Sequence, residues 1–143
     1  MNPLKLEKDI IIKRMAGIET ELEELKQLGK QDFQKLAQFH LHRALEGVFN
    51  IGSHLLSRIP GATATQYKEI ALKLGEYKLA PSEFSRTKLV EMAKYRNRLV
   101  HFYAQVEAKE LYGIIRNDLA DFETFLKAVK AVLVDPAKFH LAV

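Results

Sequence analysis

The second half of the chain is organised by one stretch, Tyr95-Arg96-Asn97-Arg98-Leu99-Val100-His101-Phe102-Tyr103. The stretch lies late in the longest unbroken helical pattern of that half. Residues spaced by threes and fours form a stripe, which covers an arc of about 120° at about 100° per residue. The members of this stripe are Leu89, Met92, Ala93, Arg96, Leu99, Val100 and Tyr103. Six of them suit a core or an interface, and Arg96 does not.

Arg96 needs an anion, because a guanidinium is expensive to bury without one. Two interpretations are open from the residues. A carboxylate of another helix, such as Glu46, pairs with Arg96, or the stripe opens onto a cleft where an external anion sits. Asn97 and His101 are four apart and share a face that borders the stripe. Arginine, an amide, a histidine that titrates near neutrality and the phenol of Tyr103 are groups that phosphodiester chemistry can use.

Composition narrows the class of protein. The 143 residues are 48% apolar and 28% charged, with a net charge of +4, which is typical of a globular domain and compatible with a polyanionic partner. The absence of cysteine excludes disulfides, thiolate zinc sites and a cysteine nucleophile. No glycine-rich phosphate loop and no helical metal-ligand spacing appears, so we predict neither a metal nor a cofactor. No apolar run approaches the roughly 20 residues of a membrane span, and the start lacks a signal-peptide layout. These features predict a soluble cytoplasmic protein with no membrane partner.

The hydrophobic periodicity is helical throughout, without the alternation of a strand. It predicts an all-α fold, an antiparallel up-and-down bundle of four long helices plus a short one, in a single domain over 1–143. The seven-residue rhythm of the first helix indicates bundle core, with a dimer seam as the alternative. The predicted helices run from about Leu4 to Leu28, from Asp32 to just before Pro60, from Gln66 to Leu74, from Glu83 to His101 and from Ala108 to Val134.

The second helix carries a polar stripe beside its apolar arc. This stripe consists of His40, Arg43, Gly47, Asn50 and His54. For His40 and Arg43 alone, a solvated face is the favoured interpretation. Gly47 indicates a close approach, because glycine costs about 1 kcal/mol relative to alanine inside a helix. We hypothesise that Asn50 and His54 line the cleft opposite the helix of Arg96.

The motif resembles a known signature. Arg96, four residues, His101, one residue and Tyr103 are similar to the pattern of HEPN domains, and more narrowly to the HepT-type toxin branch of the HEPN/MNT toxin–antitoxin family. The following segment 106–112 resembles what comes after the motif in that branch, and segment 49–55 resembles its second helix. The similarity covers roughly 4–134.

The resemblance implies a homodimeric, metal-independent endoribonuclease toxin, with both motifs lining one cleft. It implies that Arg96 holds the scissile phosphate, that Asn97 orients a reacting group and that His101 acts as general acid or base. It also implies that an MNT-type nucleotidyltransferase antitoxin attaches adenylate to Tyr103, an AMPylation. Arg96 and His101 lie about 140° apart on a straight helix. Either the helix loosens or two copies meet across a two-fold axis, and the resemblance favours the second.

Two other classes compete with the nuclease. One is a non-catalytic dimeric module that binds RNA or a protein partner. The other is a purely structural bundle in which Arg96 forms a buried salt bridge with a residue such as Glu46. Arg98 is predicted to face away from the motif as a solvated surface group.

Overall fold

The segment with the seven-residue apolar rhythm near the start of the chain forms helix α1, Lys8–Leu28. This computed structural model describes residues 5–28, 34–101 and 108–142, without the side chains at positions 27, 28, 34, 35, 101, 108 and 112. The apolar face of α1 is buried, as the rhythm predicted. Its buried residues are Ile11, Met15, Ile18, Leu22 and Leu25. The helix begins later than the predicted Leu4.

Helix α2, Gln34–Ser57, packs antiparallel to α1. Glu21 near the end of α1 meets His40 near the start of α2, while Ile18 meets Gly47 further along. A Cβ built on Gly47 would lie 2.6 Å from Cγ1 of Ile18. The close approach indicated by Gly47 is therefore confirmed, and the element that approaches is α1.

Helix α3, Tyr67–Glu76, is the short helix, and it packs on the start of the motif helix. The motif helix is continuous but not uniform: α4, Ser82–Phe84, leads into a π-helical segment, Ser85–Leu89, and then into α5, Val90–His101. A Cβ on Gly75 would lie 2.6 Å from Cβ of Ser85, so glycine allows α3 to touch this π-helical segment.

The apolar stripe of the motif helix is largely buried. Leu89, Met92, Ala93 and Leu99 belong to the core, whereas Val100 is 37% exposed. Val100 therefore does not belong to the core of one chain, and its place in an interface stays a prediction. Tyr103 lies outside the described residues.

The predicted last helix is two helices, α6, Ala108–Asn117, and α7, Leu119–Val134. Asp118 separates them with φ −113° and ψ 0°, which departs from the φ of about −63° of a regular helix. The prediction of one unbroken helix is wrong here, since the apolar rhythm continues across the break. Leu119, Phe122, Phe125 and Leu126 continue the core beyond it.

The segment after α7 ties the two ends of the chain together. A 3-10 helix, Pro136–Phe139, follows α7, and the backbone N–H of Leu6 then donates to the carbonyl of Ala142 at 2.5 Å. Lys5 and Ala142 form an isolated parallel bridge. Leu6 and Leu141 are buried beside it.

The described residues form an all-helical bundle, as predicted. Helix α2 lies at its centre, in contact with α1, α3, α5 and α6, and α7 closes the bundle against α1 and α6. Within the described ranges, no helix is both long enough and apolar enough to span a bilayer.

Gly17 on α1 and Gly47 on α2 predict opposite effects of alanine. Gly47→Ala places a methyl group against Ile18, and we expect a loss of about 1–3 kcal/mol in the free energy of unfolding. At Gly17 nothing lies within 4 Å of an added Cβ, so Gly17→Ala should stabilise by up to about 1 kcal/mol. Urea unfolding of both variants measures the difference. A Gly47→Ala protein as stable as the wild type would contradict this packing.

Candidate active site

The guanidinium of Arg96 on α5 is paired with Glu46 on α2, through Arg96 Nε and Glu46 Oε1. Only 18% of the arginine side chain and 26% of the glutamate side chain are exposed. Of the two interpretations of Arg96, the carboxylate from another helix is therefore the correct one for a single chain. The pair is not sealed from solvent, so the guanidinium also remains accessible.

Tyr67 at the start of α3 contacts both members of this pair. Its hydroxyl donates to Glu46, at 3.0 Å from Oε2 and 3.2 Å from Oε1. Its ring lies under Arg96, with Cζ 4.1 Å from the ring centroid, and Phe49 stacks on the same ring at 5.1 Å between centroids. Burial raises the pKa of Tyr67, and so does the hydrogen bond with Glu46, so the phenol stays a donor at neutral pH.

Asn97 is exposed beside Arg96, and its Oδ1 accepts a hydrogen bond of 3.3 Å from Arg96 Nη1. His101 is the last residue of α5, and its side chain lies outside the described part, as does all of Tyr103. The structure thus brings Arg96 and Asn97 together. The roles of His101 and Tyr103 stay predictions.

Asn50 and His54 do not contact Arg96 in any described interaction. Asn50 lines a cleft of about 500 Å³ between α1 and α2, which it shares with Glu46. His54 lies two helical turns beyond Glu46, where its Nε2 accepts a hydrogen bond of 3.4 Å from the backbone N–H of Glu7. The hypothesis that both line a cleft opposite α5 receives no support from His54, because that part of α2 faces the beginning of α1.

The sequence of this chain matches a family of known proteins over most of its length. Residues 10–129, which are most of the chain, match the family described as "Ribonuclease HepT-like". The chain belongs to the HepT-like family. The resemblance predicted from the motif of Arg96, His101 and Tyr103 is confirmed at the level of the family.

Several relatives of this HepT-like chain are distant in sequence. The tRNA nuclease HepT of Aphanizomenon flos-aquae (strain 2012/KM1/D3) is 22% identical over 101 residues, which cover 71% of this chain and 68% of the relative. The tri-AMPylated HEPN toxin of Shewanella oneidensis, solved in complex with MNT antitoxin, has a TM-score of 0.77 at 26% identity, over 86% of this chain and 98% of the toxin. YutE of Bacillus subtilis, a cytosolic protein of unknown function, has a TM-score of 0.72 at 20% identity, over 90% and 91% of the two chains. At such identity YutE shows the fold alone.

A second ion pair holds the motif end of α5 in the HepT-like chain. Arg98 pairs with Glu110 of α6 through both guanidinium Nη groups, with Nη2 at 2.9 Å from Oε2. The guanidinium also lies 5.6 Å from the ring centroid of Tyr95. The side chain of Arg98 is 42% exposed, which agrees with the prediction of a surface group. The spacing within α5 does not reveal the acid that α6 supplies to it. This ion pair links α5 to α6 close to His101.

Sequence reasoning missed two groups at the site. Tyr67 gave no signal, because an aromatic residue at the start of a short helix suits ordinary core. His42 lies 3.5 Å from Glu46 through Nε2, and this buried nitrogen has no hydrogen bond with any described residue. The spacing of four between His42 and Glu46 is a signal that could have placed the imidazole beside the acid. Among the described residues, no group of three or more histidine or acidic side chains could hold a metal ion.

The ion pair of Arg96 and Glu46 predicts strong coupling between the two residues. We expect Arg96→Ala and Glu46→Ala each to lower the free energy of unfolding by about 2–3 kcal/mol, since each leaves a partly buried charge without its ion-pair partner. The double variant should lose clearly less than the sum. The exposed pair of Arg86 and Glu83 is a matched control, for which we expect less than about 1 kcal/mol of coupling. Equal coupling in the two cycles, measured by urea unfolding, would contradict the structural role of the pair.

His54 predicts a loss of stability in mild acid. Burial lowers the pKa of His54, and the charge of Arg58 lowers it further, while Glu7 opposes the shift. The folded protein favours the neutral imidazole of His54. Its contribution to stability is therefore fully present when the pH is above the ordinary pKa near 6.5, and it is lost as the pH falls through the lowered pKa of the folded state. His54→Gln should therefore lose less stability than the wild type between pH 7 and pH 5, by urea unfolding at each pH. Parallel losses in the two proteins would refute this assignment.

Proposed function

We propose that this protein is a metal-independent endoribonuclease toxin that acts as a homodimer and is neutralised by an MNT-type nucleotidyltransferase antitoxin. The observation that carries the proposal is the intact motif of Arg96, Asn97 and His101 on α5 in a chain of the HepT-like family. The name of one relative, tRNA nuclease HepT, supports RNA as the substrate. The toxin of Shewanella oneidensis in complex with MNT antitoxin supports the partner.

Arg96 is the residue we assign to the scissile phosphate. Pairing with Glu46 through Nε leaves the two Nη groups as donors. The contact of Nη1 with Asn97 is long at 3.3 Å, so a phosphate oxygen can replace it at small cost. The ring of Tyr67 and the acid of Glu46 hold the plane of the guanidinium before substrate binds, and such preorganisation lowers the barrier of the reaction.

The reaction we propose is transesterification within the RNA strand. The 2′-oxygen forms a bond with phosphorus while the bond between phosphorus and the 5′-oxygen breaks. One His101 accepts the proton of the 2′-hydroxyl, and a second His101 from the other copy donates a proton to the leaving 5′-oxygen. Arg96 stabilises the additional negative charge on the phosphate in the transition state. An isologous dimer supplies the second histidine automatically, because a two-fold axis duplicates every residue near it.

Tyr103 is the residue we assign to neutralisation. The AMPylated state of the Shewanella oneidensis toxin supports adenylate attachment in this family. Tyr103 follows Arg96 by seven residues, and the helical pattern of the sequence predicts the same stripe for both. An adenylate on Tyr103 would then bring a phosphate to that predicted stripe. That phosphate would compete with RNA for the guanidinium and repel an incoming strand.

The alternative function is a non-catalytic module that binds RNA or a protein partner as a dimer. The observation in its favour is the pairing of Arg96 with Glu46, because a paired arginine has a structural role without any substrate. Cleavage separates the two functions, whereas binding alone does not.

His101→Ala is the experiment that tests the nuclease. We expect cleavage of a tRNA mixture in the presence of EDTA to fall by about 10²–10⁴-fold, because the proton acceptor is removed. His140→Asn is the matched control, since His140 is exposed after the 3-10 helix and asparagine tolerates its positive φ of 64°. Circular dichroism and thermal unfolding establish that both variants fold. Wild-type protein that binds RNA at low salt without cleaving it would contradict the nuclease and support the module.

A further inference from the structure

Helix α2 carries an arginine, Arg43, that is held in the same way as Arg96 on α5. Its Nε donates to Glu21 Oε1 at 2.7 Å, and its Cζ lies 5.4 Å from the ring centroid of Phe39. In both cases a carboxylate binds Nε and an aromatic ring lies against the guanidinium. Both arrangements keep the Nη groups as donors for a further anion.

Glu21 is an unusual partner for an exposed arginine. The carboxylate is only 11% exposed, while the side chain of Arg43 is 59% exposed. Its second oxygen binds Nδ1 of His40, which must donate because a carboxylate only accepts. Burying a carboxylate opposes folding, and an ion pair with an exposed arginine returns little. His40 therefore supplies the largely buried partner of Glu21, and the contact with Arg43 orients the exposed guanidinium through Nε.

The cleft between α1 and α2 connects the two arginine sites. Arg43 and Glu46, the partner of Arg96, both line it and are one helical turn apart, at a spacing of about 5–6 Å between Cβ atoms. Its volume of about 500 Å³ lies in the range of small-ligand sites. Arg14 on the opposite wall forms no ion pair with any described residue. The two acids of the cleft, Glu21 and Glu46, are paired with Arg43 and with Arg96, which lies outside the lining. Arg14 is therefore a cation of the cleft whose charge no acid of the lining offsets.

Phe39 adds an aromatic surface at this cleft. Phe39 is 53% exposed, although exposure of a phenylalanine ring to water is unfavourable. Exposed aromatic rings beside cations are typical of single-stranded nucleic acid sites, where bases stack on the rings and the cations follow the backbone. His40 packs against the ring in a T-shaped arrangement at 5.3 Å between centroids, and Arg43 lies over the ring, so the cation and the exposed aromatic surface are adjacent.

We propose that the cleft between α1 and α2 is a second RNA subsite, in which Arg43 binds the phosphate next to the scissile one and Phe39 stacks on a base. Arg14 contributes charge from the α1 wall, and Glu21 positions Arg43. This inference rests on the ribonuclease function proposed above. It extends the substrate site beyond the motif on α5, and it assigns a role to Arg43, for which the spacing alone favoured a solvated face.

The test compares a dinucleotide with a single-stranded RNA of about twelve nucleotides. In Arg43→Gln we expect the KM for the longer RNA to rise about tenfold, with kcat within about twofold of the wild type and the dinucleotide unaffected. The slope of log KM against log salt should fall by about 0.7, the contribution of one phosphate contact in a single strand. Phe39→Leu keeps an apolar side chain without the stacking surface, and it should also raise the KM for the longer RNA alone.

Arg86→Gln is the matched control, because Arg86 is an exposed arginine paired with a glutamate on the motif helix, outside this cleft. Arg43→Gln and Phe39→Leu proteins that behave like Arg86→Gln on the longer RNA would overturn the subsite and leave the nuclease intact. A change in sedimentation of Phe39→Leu without a change in KM would make this surface an interface between protein chains and would equally overturn the subsite. Wild-type protein that neither binds nor cleaves RNA would overturn the nuclease together with the subsite.

Discussion

The ion pair between Arg96 and Glu46 is the constraint on which the rest of this molecule depends. A guanidinium within an apolar helical stripe must meet an anion, and Glu46 on α2 supplies it across 50 residues of sequence. Tyr67 on α3 then hydrogen-bonds the acid and lies under the arginine. One polar contact therefore fixes three helices relative to one another.

The same contact prepares the proposed chemistry. An arginine that serves a phosphate must already face the right way, and the acid and the tyrosine ring hold it there before substrate arrives. Glu46 also reduces the positive charge available to RNA, so attraction of the strand needs further cations. Arg43 and Arg14 along the cleft between α1 and α2 are the residues we assign to this need. Arg98 instead pairs with Glu110 of α6.

Helix α2 joins these features, because it carries three kinds of surface at once. Its apolar arc forms the centre of the bundle, where Leu41, Leu45 and Val48 are buried. Its polar stripe meets α1, through His40 and Arg43 at Glu21. Glu46 lies between the two surfaces and reaches α3 and α5. A single substitution on this helix can therefore change packing, the arginine of the motif and the cleft together.

The sequence by itself determined the all-helical class, the buried faces of α1, α2 and α7, the motif on α5 and the family. Each of these depends on spacing within one helix or on a short run of residues, and both can be read along the chain. Only the tertiary structure decided that Glu46 rather than an external anion meets Arg96, that Arg98 pairs with α6, and that His54 lies at the start of α1. It also decided the break at Asp118 and the bridge between Lys5 and Ala142. The physical reason is that helical periodicity states which side of a helix is buried, whereas the partner on that side depends on how distant helices pack.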